Sequence, residues 1–170
     1  MNLKPQDIVI LLKLVAQGSP SCFSNLASQL AMSASEVHAG MRRSTESGLL
    51  DPVSKMPIRA ALQEFIIHGL RYVYPPQRGS MSRGIPTGYA APTLAQHFPQ
   101  PATELPPVWP DPEGSAKGYA LLPLYPSVPK AVRQDPGLYE LLALVDAIRE
   151  GRTRERALAG EQLKVLLNKR

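Results

Sequence analysis

The sequence predicts a mainly α-helical fold with one small β-hairpin, and two observations support that prediction. Apolar residues recur at helical spacing near both ends of the 170-residue chain. Fourteen of the eighteen prolines lie between Pro75 and Pro136, where long helices and central strands are therefore disfavoured. We expect a folded domain over residues 1–91, a Pro-rich irregular segment that links or wraps over 92–134, and a C-terminal helical hairpin over 135–170.

Three short helices are predicted before residue 50. Pro5 suits the first turn of a helix whose apolar residues follow a helical period until Gly18 ends it. Ser24 is placed to cap a second helix, and Ser33 or Ser35 to cap a third. The apolar face shared by these helices predicts that they pack on one another.

The next region predicts one more helix and the hairpin. Apolar residues between 57 and 70 again follow a period near 3.6, so we expect a buried helical face there. Residues 72–74 and 85–91 are typical of two short strands flanking a Gly- and Ser-rich loop that carries Arg78 and Arg83. The expected result is a hairpin with two arginines in its loop.

Residues 93–132 are expected to be mostly irregular, with polyproline-like pieces. Helical structure returns at Asp135, which is a good cap, and Pro136, which fits a first turn. Gly151 ends this helix, and Thr153 is placed to cap a last one. Two antiparallel helices joined at Gly151 are predicted.

Composition and charge limit the classes of protein to consider. The net charge is +5 and the pI about 9.5, which suits an anionic partner without requiring one. No apolar run approaches the roughly 20 residues of a membrane span, and no export signal is recognisable, so we expect a cytoplasmic protein without a membrane partner. Cys22 is the single cysteine, which excludes an internal disulfide.

Residues 26–50 carry the most informative pattern. Ala27 offers a small side chain where two helices cross steeply, and residues 31–33 form a short turn that Ser33 can cap. The third helix then carries Arg42 and Arg43 and closes on Gly-Leu-Leu at residues 48–50. Over residues 5–50 this spacing resembles the winged helix-turn-helix regulators of the MarR-like and related bacterial families.

That resemblance implies a winged helix-turn-helix DNA-binding domain over residues 1–91, with the third helix in the major groove of double-stranded DNA. Gly40 and Ser44 depart from the family pattern, and a helix takes the place where the wing should follow residue 50. The implied DNA contacts are Ser33, Ser35, Glu36, His38, Ala39, Arg42, Arg43 and, on the displaced hairpin, Arg78 and Arg83.

Other interpretations of these residues stay open. Arg42 and Arg43 also fit an ordinary solvated helix face, and His38 an ordinary exposed histidine. Arg78 and Arg83 equally fit simple loop arginines.

Catalytic motifs are missing from the sequence, so we expect neither an enzyme nor a cofactor. No phosphate-binding loop and no nucleophile elbow occurs, and the three histidines are too far apart in sequence for a recognised metal motif. The predicted function is a sequence-specific transcriptional regulator that binds a pseudo-palindromic operator as a homodimer. The alternative is an antitoxin-like or adaptor protein whose residues 92–170 bind a partner protein.

Overall fold

A computed structural model describes residues 2–99 and 103–169 of the chain. Over these residues the chain is largely helical and carries three short strands. The helices are α1 Pro5–Gln17, α2 Phe23–Leu30, α3 Ala34–Glu46, α4 Arg59–His68, α5 Leu70–Val73, α6 Pro92–Ala95, α7 Val128–Val132, α8 Pro136–Glu150 and α9 Thr153–Asn168. The strands are β1 Arg78–Pro86, β2 Pro107–Pro110 and β3 Ala116–Leu121, and a 3-10 turn spans Gly88–Ala90.

Helices α1 and α8 form the centre of the fold. Residues 8–12 of α1 and 141–149 of α8 are buried on all sides, as expected for a helix surrounded by other elements. Helix α8 contacts α1, α9 and all helices from α4 to α7, while α1 also packs against α2 and α3. Lys13 of α1 reaches Asp135 at the start of α8, with 2.5 Å between Nζ and Oδ2. The N-terminal helices are therefore held on the C-terminal helical hairpin.

The three strands close on themselves into a very small barrel. Strand β1 is antiparallel to both β2 and β3, and β2 and β3 are parallel to each other. Closing so few strands brings backbones together, and a Cβ on Gly84 or Gly118 would overlap the carbonyl oxygen of Trp109 or Pro106. Glycine at these two positions is what allows the strands to approach.

A buried polar cluster joins the barrel to α8. Asp146 accepts hydrogen bonds at Oδ2 from Thr87 Oγ1 and Trp109 Nε1, each at 2.7 Å, and at Oδ1 from Arg149 Nη1 at 3.0 Å. Arg149 also donates from Nε to the carbonyl oxygen of Tyr74, at 2.9 Å. One carboxylate therefore connects β2, the residue that precedes the 3-10 turn and α8, and Arg149 extends the cluster to the end of α5.

The predicted helices are found at both ends of the chain. Three helices precede residue 50, and α8 and α9 form the expected C-terminal hairpin around Gly151. Asp135 caps α8 as predicted, since its side chain accepts from the amide of Leu138. Residues from 1–91, 92–134 and 135–170 all contribute side chains to one core.

The predicted hairpin over residues 72–91 is wrong. Residues 72 and 73 belong to the short helix α5, and the supposed loop around Arg78 and Arg83 is itself strand β1. Its glycines and serines have low strand propensity, so local sequence favours a loop, whereas pairing with two other strands makes it a strand. Both partner strands come from residues more than twenty positions farther along the chain.

The expectation of mostly irregular chain over residues 93–132 is also wrong in part. This stretch contributes β2, β3 and α7, with Pro107 and Pro110 at the two ends of β2. Proline is compatible with a strand end because its missing amide need not break the ladder. No helix in the described residues is both long and apolar enough to cross a membrane.

Candidate nucleic-acid interface

Helices α2 and α3 are joined by the capped turn that the sequence predicts. Ala31 takes a left-handed conformation (φ 52°), and the amide of the next residue, Met32, bonds to the carbonyl oxygen of Ala27. Ser33 is the N-cap of α3, where its Oγ accepts from the amide of Glu36 at 3.1 Å. These local bonds set the direction in which α3 leaves the turn.

A buried ion pair fastens α3 to α1. Arg43 donates from Nε to Asp7 Oδ2 at 2.8 Å and from Nη2 to Oδ1 at 2.7 Å. The Asp7 side chain is fully buried, and 6% of the Arg43 side chain is exposed. Asp7 also accepts from the backbone amide of Lys4, which holds the first turn of α1. Arg43 therefore lies inside the helix trio, where its role is structural. The prediction that it contacts DNA phosphate is corrected accordingly.

Glu36 belongs to the same network. Its Oε1 accepts from Gln6 Nε2 at 2.6 Å and from Arg43 Nη2 at 3.2 Å. The hydrogen bond from Gln6 and the charge of Arg43 lower the pKa of Glu36. Oε1 of this carboxylate is therefore engaged within the helix trio, while 28% of the Glu36 side chain is exposed, and its role as a base-reading acceptor stays a prediction.

The outward face of α3 carries the other predicted residues of this helix. His38 and Ala39 lie three and four residues after Ser35, and Arg42 lies four and three residues after them, so the four residues form one stripe along the helix. Ser35, His38 and Arg42 are exposed and Ala39 is half-buried. We call these four residues the α3 stripe.

Two contacts orient side chains of the α3 stripe. The ring of His38 meets that of Phe23, at the start of α2, edge to face with 4.9 Å between centroids. Arg42 Nε lies 3.3 Å from Glu46 Oε1, one turn farther along α3. Ser33, at the start of the helix, is exposed and its Oγ lies 3.2 Å from that of Ser35.

A short hairpin follows α3 directly, and sequence reasoning missed it. Leu50 and Pro57 form a β-bridge, and the amide of Ile58 bonds to the carbonyl oxygen of Leu49 at 2.8 Å. Lys55 takes a positive φ of 58° in its turn. We call residues 49–58 the post-α3 hairpin. The resemblance to winged regulators implied a hairpin directly after residue 50. The sequence pattern did not reveal it, because a single bridge is too short to produce alternating apolar residues.

Lys55 and the α3 stripe share one surface. His38, Arg42 and Lys55 line the same shallow cavity of about 260 Å³, with Phe23 at its side. The post-α3 hairpin therefore adds a cation to the outward face of α3.

Arg78 and Arg83 lie on the barrel. Arg78 forms an ion pair with Glu150 of α8, with 3.1 Å between Nη2 and Oε1, and its guanidinium group stacks over the ring of Tyr119. Arg83 is exposed and donates to the carbonyl oxygen of Gly114 at 3.3 Å. Because β1 pairs with β2 and β3, these arginines are part of the barrel and are not carried by a hairpin next to α3.

Comparisons with family models, curated proteins and solved structures give no match. Among residues 2–99 and 103–169, no three His, Cys, Asp or Glu side chains are grouped so that they could hold a metal ion.

Gly40 lies where α3 packs against α1. A Cβ at this position would lie 2.5 Å from Ile10 Cδ1 and 2.9 Å from Asp7 Oδ1. We expect Gly40→Ala to lower the free energy of unfolding by about 1–3 kcal/mol through overpacking. Helix propensity alone predicts the opposite sign, a gain of about 1 kcal/mol. Chemical denaturation decides between the two, and Gly160→Ala on α9, where a Cβ meets no atom within 4 Å, is the matched control.

Proposed function

We propose that this protein binds double-stranded DNA through the α3 stripe and acts as a sequence-specific regulator of transcription. The observation that carries the proposal is the division of α3 into two faces. One face is locked to α1 by the Arg43–Asp7 pair, and the other presents Ser35, His38 and Arg42 to solvent. A helix that is held on one face and exposes polar side chains on the other is what reading the major groove requires.

The dimensions and chemistry of the α3 stripe suit that groove. Ser35 and Arg42 are seven residues apart, which is about 10 Å along a helix and spans about three base pairs. Serine and histidine can donate to or accept from base edges, and arginine binds guanine or phosphate. The start of α3, capped by Ser33, also adds a favourable dipole toward phosphate. The stripe therefore combines base reading with backbone contact.

The post-α3 hairpin takes the place of a wing in this proposal. Lys55 supplies a phosphate contact beside Arg42, since both line the same shallow cavity. Val53, at the tip, is 89% exposed, so the turn projects into solvent. In this proposal the basic residue of the wing is Lys55 and not Arg78 or Arg83.

We further propose that two copies bind a pseudo-palindromic operator, as helix-turn-helix regulators commonly do. The alternative function, an adaptor whose residues 92–170 grip a partner protein, has less support. Strands β2 and β3 pair with β1, and α6, α7 and α9 pack on α8 of the same chain. Much of the segment that would wrap a partner is thus used within this fold.

Substitutions in the α3 stripe and at Lys55 are expected to separate phosphate contacts from base contacts. Arg42→Ala and Lys55→Ala should each weaken binding to all DNA sequences and lower the salt slope by about one unit. His38→Ala should instead change the preferred base pairs at one or two positions, because a good base contact discriminates by about 1–3 kcal/mol. The measurement is selection from a random double-stranded DNA pool, followed by titration at several salt concentrations.

Arg154→Ala is the matched control for these variants. Arg154 is an exposed helical arginine on α9, outside the α3 stripe, so both the motif and the salt slope should stay unchanged. Failure of the wild type to enrich any motif would overturn the proposal of sequence-specific binding. Enrichment of one unpaired half-site would contradict the proposed homodimer.

A further inference from the structure

A polar cavity lies where the end of α8 meets the barrel and the first turn of α9. Its volume is about 290 Å³, at the lower end of the range for sites that bind small molecules. Three glutamates, two arginines and two tyrosines line it. None of these side chains belongs to the α3 stripe, so the cavity is a feature separate from the proposed DNA interface.

Glu150, the last residue of α8, is the most enclosed charged group of this cavity. Only 8% of its side chain is exposed. Its Oε1 accepts from the hydroxyl of Tyr119 and, at 3.1 Å, from Arg78 Nη2. Its Oε2 is buried and has no hydrogen-bond partner. A buried polar atom without a partner is uncommon and marks a place where a donor would stabilise the protein.

The other charges around the cavity are already engaged. Arg152 Nη2 lies 3.6 Å from Glu104 Oε1, and the backbone amide of Arg152 donates to Glu155 Oε2 at 2.6 Å. Arg78 is paired with Glu150 and stacked on Tyr119. Three carboxylates therefore face two guanidinium groups, and the excess charge is negative. Burial raises the pKa of Glu150, while the hydrogen bond from Tyr119 and the charge of Arg78 act in the opposite direction.

An aromatic wall completes the cavity. Tyr89, from the 3-10 turn, is half-buried and contributes to the lining, whereas the ring face of Tyr119 already has Arg78 over it. An aromatic ring beside carboxylates attracts a cation that carries an apolar stem.

We propose that this cavity binds a small organic cation, with an ammonium or guanidinium group that donates to Glu150 and a short apolar stem against Tyr89. The volume suits a ligand about the size of an amino acid or a diamine. The negative excess selects against anions of the same length. This site is independent of DNA binding.

Calorimetric titration of the full chain tests the proposal, with agmatine and butylamine as cationic probes and butyrate as the anionic probe. We expect both amines to bind and butyrate not to bind. Glu150→Gln keeps the shape of the side chain but removes its charge, and it should weaken agmatine binding about tenfold or more. Glu161→Gln, an exposed glutamate farther along α9, is the matched control and should leave the affinity unchanged.

A second variant tests the proposal even if Glu150→Gln does not fold. Leu105 lines the cavity and is 46% exposed, so Leu105→Lys should fold and place a like charge at its mouth. This variant should also weaken agmatine binding. The proposal is overturned by the absence of binding for both amines, by tighter binding of butyrate, or by unchanged agmatine affinity in a folded Glu150→Gln or Leu105→Lys variant.

Discussion

Arg43→Ala is expected to lower the free energy of unfolding by about 3–5 kcal/mol, the loss typical of breaking a buried ion pair from one side. The substitution leaves Asp7, whose side chain is fully buried, without its bidentate partner. It also removes a donor to Glu36 and opens a gap between α1 and α3. Urea denaturation followed by circular dichroism measures the change.

Arg42→Ala is the matched control for this prediction. Arg42 is the neighbouring arginine on the same helix, but it is exposed, so its removal should change stability by about 0.5 kcal/mol or less. The double variant Asp7→Leu with Arg43→Met should recover much of the loss, because apolar residues can replace a buried ion pair. Equal stability losses for Arg42→Ala and Arg43→Ala would contradict the buried arrangement.

Asp146→Ala is expected to have an effect of similar size, about 3–5 kcal/mol, in a different part of the molecule. It removes the shared acceptor of Thr87, Trp109 and Arg149, and leaves a buried guanidinium without its carboxylate. Because the same carboxylate joins the barrel to α8, the near-ultraviolet signal of Trp109 should also weaken. Thermal and chemical denaturation measure the stability.

Two milder variants calibrate this second result. Thr87→Val removes one neutral donor of similar shape, so we expect a loss of about 1 kcal/mol. Glu140→Ala removes a half-buried glutamate of the same helix, whose hydrogen bond to Thr93 is long at 3.3 Å, and should cost no more than about 1 kcal/mol. If Asp146→Ala proves no worse than these two, the buried cluster does not stabilise the junction.

The predicted DNA contacts show which features of a site local sequence reveals and which it does not. The spacing of Ser35, His38 and Arg42 on one face follows from helix geometry, so their common exposure could be anticipated. Arg42 and Arg43 are adjacent in the sequence and equally basic, yet one is exposed and the other buried. What separates them is Asp7, thirty-six residues earlier, and no local pattern reveals that pairing.

The sequence by itself determined the elements whose stabilising bonds are local. Ser33 and Asp135 cap their helices through amides only three residues away, and apolar periodicity marks α1, α3, α4 and α8. Tertiary structure alone decided the strand of Arg78–Pro86 and the buried role of Arg43. Each of these depends on bonds whose strength comes from burial or from pairing with distant strands. Such bonds form only when the whole chain has folded, and for that reason the residues involved carry no distinctive pattern of their own.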